Sequence, residues 1–263
     1  MNPTFDLIIQ GPIYPCVYEI INEYKKLSFV NKIIISSWES YSEYKLLLFD
    51  YNLKFVFNQD IDNPGRNNRN RKIKSCLNGI KASKSDYVIV MRSDILFDLS
   101  AFEKIYDFFL EHKNASLMTL ANENYPLNKI LCIHLVQDFP FHPNDWFFMG
   151  HKNDLETFFD IPYDTSNDLR AEIYFASHYI SLFDLKAREM LNDYKNYLLD
   201  HSKNFEEAKS LSRQISSKIL KPLPKNLVKI KWLKYSNDFH DWDLIEKTND
   251  LLFHENDITV SKE

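Results

Sequence analysis

The 263-residue chain is poor in glycine and cysteine and carries no excess of basic residues. Its four glycines exclude a collagen-like or glycine-rich linker protein. The cysteines (Cys16, Cys76 and Cys132) lie far apart, which is typical of a reducing compartment and not of a disulfide-rich secreted domain. A formal net charge of -5 disfavours a general nucleic-acid-binding protein, because such proteins usually present a basic surface.

Signals for export or membrane insertion are also missing from the sequence. The N-terminal residues lack a basic region followed by an apolar core, and no apolar run approaches the roughly 18 residues of a spanning helix. With 44% hydrophobic residues the chain has enough apolar side chains for a full core. We therefore predict a cytoplasmic globular protein without a transmembrane segment.

Short apolar runs alternate with segments of helical spacing over the first half of the chain. The predicted strands are 5–10, 31–36, 53–57 and 87–91, and the predicted helices are 17–29, 41–49, 68–83 and 101–111. Continuously apolar strands of this kind indicate an α/β fold, with a mostly parallel sheet covered by helices on both faces.

The second half has a less regular pattern. Further strands are predicted at 116–120, 145–149 and 227–233, and further helices at 153–159, at 168–179 and, in two pieces divided near His201, at 185–220. We predict a catalytic domain of residues 1–184, and a helical C-terminal extension of residues 185–263 that packs on the same domain.

Polar residues follow the predicted strands where ligands of such sheets bind. Because parallel strands end at the same edge, these residues are expected to lie together: Gln10-Gly11-Pro12, Ser36–Glu39, Asn58 and Arg92-Ser93-Asp94. Asp94 follows a rigid strand, and a carboxylate in that position commonly binds Mg²⁺ or Mn²⁺ together with a diphosphate. The pattern leaves a simple turn-capping role for Asp94 open.

A basic cluster precedes the fourth strand. Arginines near a helix N-terminus bind phosphate groups, although a solvated helix face is the alternative for most of this cluster, which comprises Arg66, Arg69, Arg71, Lys72 and Lys74. Motifs of P-loop proteins, dinucleotide-binding domains, zinc proteases and serine hydrolases are absent from the sequence.

Four segments together resemble the WavE lipopolysaccharide-synthesis family: IIQGPI (8–13), NRNRKIKSCLNGI (68–80), YVIVMRSD (87–94) and NDWFFMG (144–150). The resemblance covers roughly the first two thirds of the chain. It implies a GT-A-type glycosyltransferase with a Rossmann-like sheet. Such an enzyme would transfer a sugar from a nucleotide-sugar donor to a glycan or lipid-linked acceptor in lipopolysaccharide or capsule biosynthesis. Peripheral association with the inner membrane is an open alternative to a freely soluble enzyme.

The resemblance also implies roles for the residues that would contact the donor. Trp38 would stack on the base, although burial in the interior is the commoner position for a tryptophan. Asn68 and Arg71 would hold the diphosphate or the ribose. The residues that would lie against the nucleotide are Gln10, Gly11 and Pro12.

A divalent cation, Mn²⁺ or Mg²⁺, is implied by the same resemblance. Asp94 would occupy the last acidic position of a DxD motif and ligate the cation, and His240 would close over it. The first acidic position of that motif is Arg92 in this sequence. Because Arg92 can itself neutralise phosphate, the need for a metal is left open.

Asp145 is the predicted general base. An inverting transferase needs a carboxylate that accepts the proton of the attacking hydroxyl, and the aromatic neighbours of Asp145 would exclude water from it and raise its pKa. Glu172, in an acidic position of the family, is the alternative base.

Two other functions remain open at this stage. A metal-dependent nucleotidyltransferase shares the nucleotide-binding half of this architecture, but normally has a glycine-rich basic loop after the first strand. A catalytically silent glycan-binding or nucleotide-binding protein is the other alternative, because the first DxD acid is missing.

Overall fold

The computed structural model describes residues 2–48, 53–112, 118–120, 123–125, 129–166, 168–233 and 252–253. The strands are β1 (Phe5–Gln10), β2 (Val30–Trp38), β3 (Lys54–Asn58), β4 (Tyr87–Arg92), β5 (Ile95–Phe97), β6 (Met118–Leu120), β7 (Glu123–Tyr125), β8 (Ile130–Cys132), β9 (Leu135–Val136), β10 (Phe147–His151), β11 (Leu220–Pro222), β12 (Ile230–Trp232) and β13 (Leu252–Phe253). The helices are α1 (Val17–Tyr24), α2 (Tyr44–Leu47), α3 (Arg69–Ala82), α4 (Leu99–His112), α5 (Lys152–Phe159), α6 (Ala171–Ser181), α7 (Leu185–Asn192), α8 (Tyr194–Tyr197) and α9 (Phe205–Ile219).

The main sheet contains seven of the described strands in the order β11-β8-β10-β4-β1-β2-β3. Strands β1 to β4 are mutually parallel where they pair, and β11 runs parallel to β8. Only β10 runs antiparallel, to both β4 and β8. The predicted α/β fold with a mostly parallel sheet is therefore confirmed.

Both faces of the sheet are buried, and β1 shows how its sequence produces this arrangement. All six residues of β1 are buried, and successive side chains point to opposite faces. Leu7 and Ile9 join a core cluster with α1 and α4, whereas Ile8 joins a second cluster with α3, α5, α6 and α9. A strand buried on both faces has no regular polar alternation: four of the six β1 residues are apolar, and the two polar ones, Asp6 and Gln10, are buried as well.

Helix α3 lies unusually close to the sheet because it carries Gly79. A Cβ atom at this position would come within 2.6 Å of Ile8 Cγ2 and 3.1 Å of Ser36 Cβ. The contact fixes the height of α3 over β1 and β2, and therefore the position of the helix start at the sheet edge.

The first half of the chain departs from the prediction at element ends. The predicted helix 17–29 stops at Tyr24, because the chain then turns and buries Leu27 and Phe29 without helical spacing. Strand β2 extends to Trp38, and the segment predicted as helix 41–49 has only a short 3₁₀ turn, Glu39–Tyr41, followed by α2.

The second half departs further, because several of its strands have only two or three residues. The stretch 185–220 forms α7, the short α8 and α9, and Leu220 already belongs to β11. The predicted strand 227–233 is reduced to β12, which pairs with β5. The domain boundary after residue 184 stays a prediction. Met190 of α7 and Ile219 of α9 belong to the same core cluster as Ile8.

None of the described helices combines the length and the apolar character that crossing a bilayer requires.

Candidate active site

A cavity of about 320 Å³ opens at the carboxyl edge of the sheet, beside β1 and β4. The chain runs from β1 outward through β2 to β3 and then returns to the other side of β1 to form β4. This reversal is the topological switch point at which open α/β sheets bind ligands. The cavity is lined by Gln10, Gly11, Pro12, Tyr14, Trp38, Ser40, Tyr41, Asp60, Asn67, Asn68, Arg71, Lys72, Ser75, Arg92, Ser93, Asp94 and Asp145.

The structure brings together nearly all of the residues that the sequence singled out. Those lining the cavity are Gln10, Gly11, Pro12, Trp38, Asn68, Arg71, Arg92, Asp94 and Asp145. Glu172 is not among the residues that line the cavity, but it lies close enough to Asp145 for their charges to interact. His240 lies outside the described residues. Their grouping is a structural finding, and their individual roles stay predictions.

The sheet register explains why the strand-end residues meet. Gln10 pairs with Ser36 on β2 and with Arg92 on β4, so the three residues stand side by side. Gly11 then turns the chain with φ +112°, a conformation that favours glycine, and a Cβ atom here would lie 3.3 Å from Ser93 Oγ. Ser93 Oγ donates a hydrogen bond to the carbonyl of Pro12, which ties the two strand ends together.

Helix α3 presents one polar face to the cavity. Asn67 and Asn68 precede it in the left-handed region, with φ 54° and 60°, which asparagine tolerates better than most residues. Asn68 and the next residues of the face, Arg71, Lys72 and Ser75, follow the i, i+3, i+4, i+7 spacing of a single helix face. A solvated helix face was the alternative expected for Lys72, although its spacing from Asn68 already indicated a position beside Arg71.

Arg71 is held by an acidic partner that the sequence analysis did not identify. Its guanidinium forms a two-pronged pair with Asp60, with Nε 2.7 Å from Oδ1, and Nη1 donates to Asn68 Oδ1 at 3.1 Å. It also lies 5.8 Å from the ring centroid of Trp38. Arg71 holds the pKa of the exposed Asp60 carboxyl below its usual value.

The aromatic side chains at the cavity differ in their exposure. Trp38 is only 7% exposed, so most of its ring packs in the protein interior. Tyr14 and Tyr41 are partly exposed cavity-lining residues that the sequence analysis did not single out. Tyr14 and Tyr41 are therefore two further candidates, besides Trp38, for stacking on a base.

Arg92 and Asp94 form a bidentate ion pair at the end of β4. Arg92 Nε lies 2.9 Å from Asp94 Oδ1, and Nη2 lies 2.7 Å from Oδ2. The Asp94 side chain is 3% exposed, whereas that of Arg92 is 25% exposed. A ligand entering the cavity therefore meets the guanidinium before the carboxylate.

Asp145 lies just before β10, between two cations. Its backbone is fixed because Arg92 N–H donates to the Trp146 carbonyl and Trp146 N–H donates to Asn144 Oδ1. Its carboxylate forms an ion pair with Lys72, and Arg92 Nη1 lies 3.9 Å from Oδ1. Burial alone would raise the pKa of Asp145, but Lys72 and Arg92 outweigh it and hold that pKa below its usual value.

Glu172 shows the opposite behaviour on the first turn of α6. Burial and the nearby Asp145 charge raise the pKa of Glu172. His142 Nε2 lies 3.7 Å from Glu172 Oε2. Because burial lowers the pKa of His142 to about 4, this histidine is neutral near pH 7 and supplies no compensating charge. The two candidate bases thus differ: Asp145 faces the cavity as a stabilised anion, and Glu172 has the stronger tendency to hold a proton.

The donor set at the cavity does not fit a divalent cation. Hard cations take six or more oxygen ligands at 2.0–2.6 Å, and both Asp94 oxygens are already covered by the Arg92 guanidinium. Within the described ranges, no group of three His, Cys, Asp or Glu side chains is placed to hold a metal ion. The predicted metal-ligand role of Asp94 therefore has no supporting partners in this part of the chain.

Comparison with known proteins places the chain in a family. The sequence model for WavE lipopolysaccharide synthesis matches residues 6–218. The chain belongs to the WavE family. The match extends beyond the four segments that suggested it and includes α7 and nearly all of α9. No curated protein matches this WavE-family chain significantly.

Several solved structures are similar to parts of the WavE-family chain at low identity. S. aureus TarS, residues 1–349, is 13% identical with a TM-score of 0.43, over 67% of this chain and 55% of the TarS chain. Glucosyl-3-phosphoglycerate synthase from Mycobacterium tuberculosis, solved with Mn²⁺ and UDP, is 12% identical with a TM-score of 0.44. The match covers 71% of this chain and 68% of the synthase chain. A CMP:2-keto-3-deoxy-manno-octonic acid synthetase with CTP is 8% identical with a TM-score of 0.42. The match covers 80% of this chain and 99% of the synthetase chain. These TM-scores lie below 0.5, so the likenesses assign no function to the WavE-family chain.

Proposed function

We propose that this WavE-family chain is a glycosyltransferase of the GT-A type. It transfers a sugar from a nucleotide-sugar donor to a glycan or lipid-linked acceptor in the synthesis of lipopolysaccharide or a related surface polysaccharide. The observation that carries the proposal is the polar cavity at the switch point of the sheet, in a chain whose family is linked to lipopolysaccharide synthesis. A cytoplasmic location, with or without peripheral contact with the inner membrane, is part of the proposal.

The donor half of the reaction is assigned to the ends of β1, β2 and β4 and to the start of α3. Gly11 permits close approach of the nucleotide to the backbone, and the aromatic side chains Trp38, Tyr14 and Tyr41 offer surfaces for the base. The cations on the polar face of α3, Arg71 and Lys72, would bind the diphosphate. They lie near the start of the helix, where the positive end of the helix dipole favours an anion.

The acceptor half is assigned to Asp145 and the residues behind it. As general base, Asp145 accepts the proton of the attacking hydroxyl while the sugar–phosphate bond breaks. Its lowered pKa makes it a weak base as long as Lys72 and Arg92 stay with it. When Lys72 and Arg92 bind the donor instead, the basicity of Asp145 rises. Donor binding therefore makes Asp145 a better base for the acceptor hydroxyl.

A screen of donor hydrolysis and transfer tests the proposal. The purified full-length protein is incubated with UDP-, GDP- and CMP-sugars, with lipopolysaccharide core fragments as acceptors, and released nucleotide is quantified. We expect turnover with at least one donor class and its loss in Asp145→Asn. Pyrophosphate release from a nucleoside triphosphate and a sugar phosphate would instead identify a nucleotidyltransferase. Saturable binding without turnover would identify a silent binding protein.

A further inference from the structure

Two cations from different elements meet at one carboxylate on the cavity wall. Lys72 comes from α3 and Arg92 from the end of β4, and both approach Asp145. All three residues line the cavity. The arrangement places two positive charges within reach of a single ligand, at the edge where the nucleotide of an α/β sheet is bound.

The positions of the ion-pair partners decide which groups a ligand can contact. Asp94 is almost completely covered, and its two oxygens are occupied by Arg92 Nε and Nη2. A metal ion at Asp94 would have to take the place of these nitrogens and stand beside their positive charge. An anion, in contrast, meets the exposed side of the guanidinium directly.

We propose that Lys72 and Arg92 bind the diphosphate of the donor in place of a divalent cation. The inference rests on the proposed function and specifies how its donor is held. Asp94 then acts as a positioning residue, because its bidentate contact fixes the plane of the Arg92 guanidinium. Lys72 supplies a second point charge on a flexible stem, and its ammonium group exchanges the Asp145 carboxylate for a phosphoryl oxygen.

The experiment measures binding of UDP, GDP and CDP to the full-length protein by titration calorimetry. Each nucleotide is titrated once in EDTA and once in Mn²⁺. The variants are Lys72→Met and Arg92→Met, and the matched control is Lys74→Met. Lys74 lies on the same helix, off the cavity, and donates to the carbonyl of Gln59.

We expect one nucleotide to bind equally well in EDTA and in Mn²⁺. Each cavity variant should weaken that binding by roughly 10- to 100-fold, the size expected for loss of a charge-assisted hydrogen bond. The Lys74→Met control should bind like the wild type.

A double variant separates a binding role of Lys72 from a structural one. Lys72→Met alone leaves Asp145 without its partner, which by itself can distort the site. Lys72→Met with Asp145→Asn removes both charges and keeps the net charge of the wild type. If Lys72 binds the diphosphate, the double variant remains at least about 10-fold weaker than the wild type. Wild-type affinity in the double variant would assign Lys72 a structural role and overturn the inference.

The remaining outcomes distinguish this inference from the proposed function. Nucleotide binding that occurs only in Mn²⁺ would overturn the inference and leave a metal-dependent transferase. Binding that both Lys72→Met and Arg92→Met leave unchanged would overturn it as well. Absence of nucleoside diphosphate binding in both buffers would overturn the inference as well, whereas absence of turnover with every donor class, CMP-sugars included, would contradict the proposed function itself.

Discussion

Glu172 and Asp145 are neighbouring buried acids whose pKa values are shifted in opposite directions. At the scale of single residues, the pH dependence of the unfolding free energy therefore measures these two pKa shifts. A raised folded-state pKa destabilises the native state as pH rises from the unfolded pKa to the folded one. A lowered folded-state pKa has the reverse effect, and stabilises the native state above the unfolded pKa.

The substitution Glu172→Gln tests the first of these shifts. Glutamine cannot ionise, so the variant avoids the cost of holding a charge beside Asp145. We expect the difference in unfolding free energy, variant minus wild type, to move in favour of the variant between pH 4 and pH 7. Urea unfolding at both pH values measures it. Asp145→Asn should show the reverse change below about pH 4, where the wild type loses the stabilisation from its ionised Asp145, so unfolding of this variant is also measured at about pH 2. At pH 7 the variant should be less stable than the wild type by about 3–5 kcal/mol, because Lys72 is left buried without its partner. Parallel behaviour of the two variants would contradict the assigned shifts.

The substitution Asp94→Asn tests the anchoring of Arg92. We expect the fold to persist, nucleotide affinity to fall by about 10-fold or more and sugar transfer to be abolished, because one charge-assisted contact of the guanidinium is lost. Calorimetric titration and the transfer assay measure the two effects. Asp138→Asn, which changes an exposed carboxylate off the cavity, is the control. Wild-type activity in Asp94→Asn would remove this residue from the site.

At the scale of the element, the approach of α3 to the sheet depends on Gly79. Alanine at this position would gain helix propensity but would press its Cβ atom against Ile8 and Ser36. We expect Gly79→Ala to lower the unfolding free energy by about 1–3 kcal/mol, as over-packing usually does. Denaturant unfolding measures the effect, with the exposed Lys81→Ala as a control on the same helix. A stabilised Gly79→Ala variant would show that α3 can move outward without cost.

The sequence predicted those elements whose hydrophobic pattern is long enough to be recognised. Strands β1 and β4 were predicted almost residue for residue, because short runs with four and five apolar residues, bounded by turns, have few alternatives. Strands β5, β8 and β11 have three residues each and are defined by their partners, so no local pattern identifies them. Because the longer strands β1 to β4 were recognised, the polar residues at their ends were predicted to form a site.

The ion pairs of the site were harder to predict than its members. Lys72 and Asp145 are separated by 73 residues, and their contact depends on how α3 and β10 pack around β4. The pairing of Arg92 with Asp94 is local, and alternation along a strand already placed both side chains on one face. The sequence does not show that the Asp94 carboxylate is buried with both oxygens bonded to Arg92, which is what disfavours a metal ion there.

At the scale of the whole molecule, the residues after 184 complete the second core cluster. Met190, Ile215, Ile219 and Leu220 pack in it together with Ile130 and other residues of the sheet. We expect a chain ended after residue 184 to be insoluble or unfolded, because it exposes this apolar face and leaves β8 without β11. Circular dichroism and gel filtration of the truncated protein test this. A folded, monomeric fragment would support an independent domain of residues 1–184.

The ion pairs of the cavity have a further consequence for competition between ligands. Six ionic side chains line it, and their formal charges cancel: Asp60, Asp94, Asp145, Arg71, Lys72 and Arg92. A lone inorganic phosphate ion therefore meets a site with no net formal charge, and it must displace Asp145 to reach Lys72. Two linked phosphoryl groups gain both contacts for a single loss of translational freedom. If the cavity binds the donor as proposed, these pairs would favour a chelating diphosphate over inorganic phosphate.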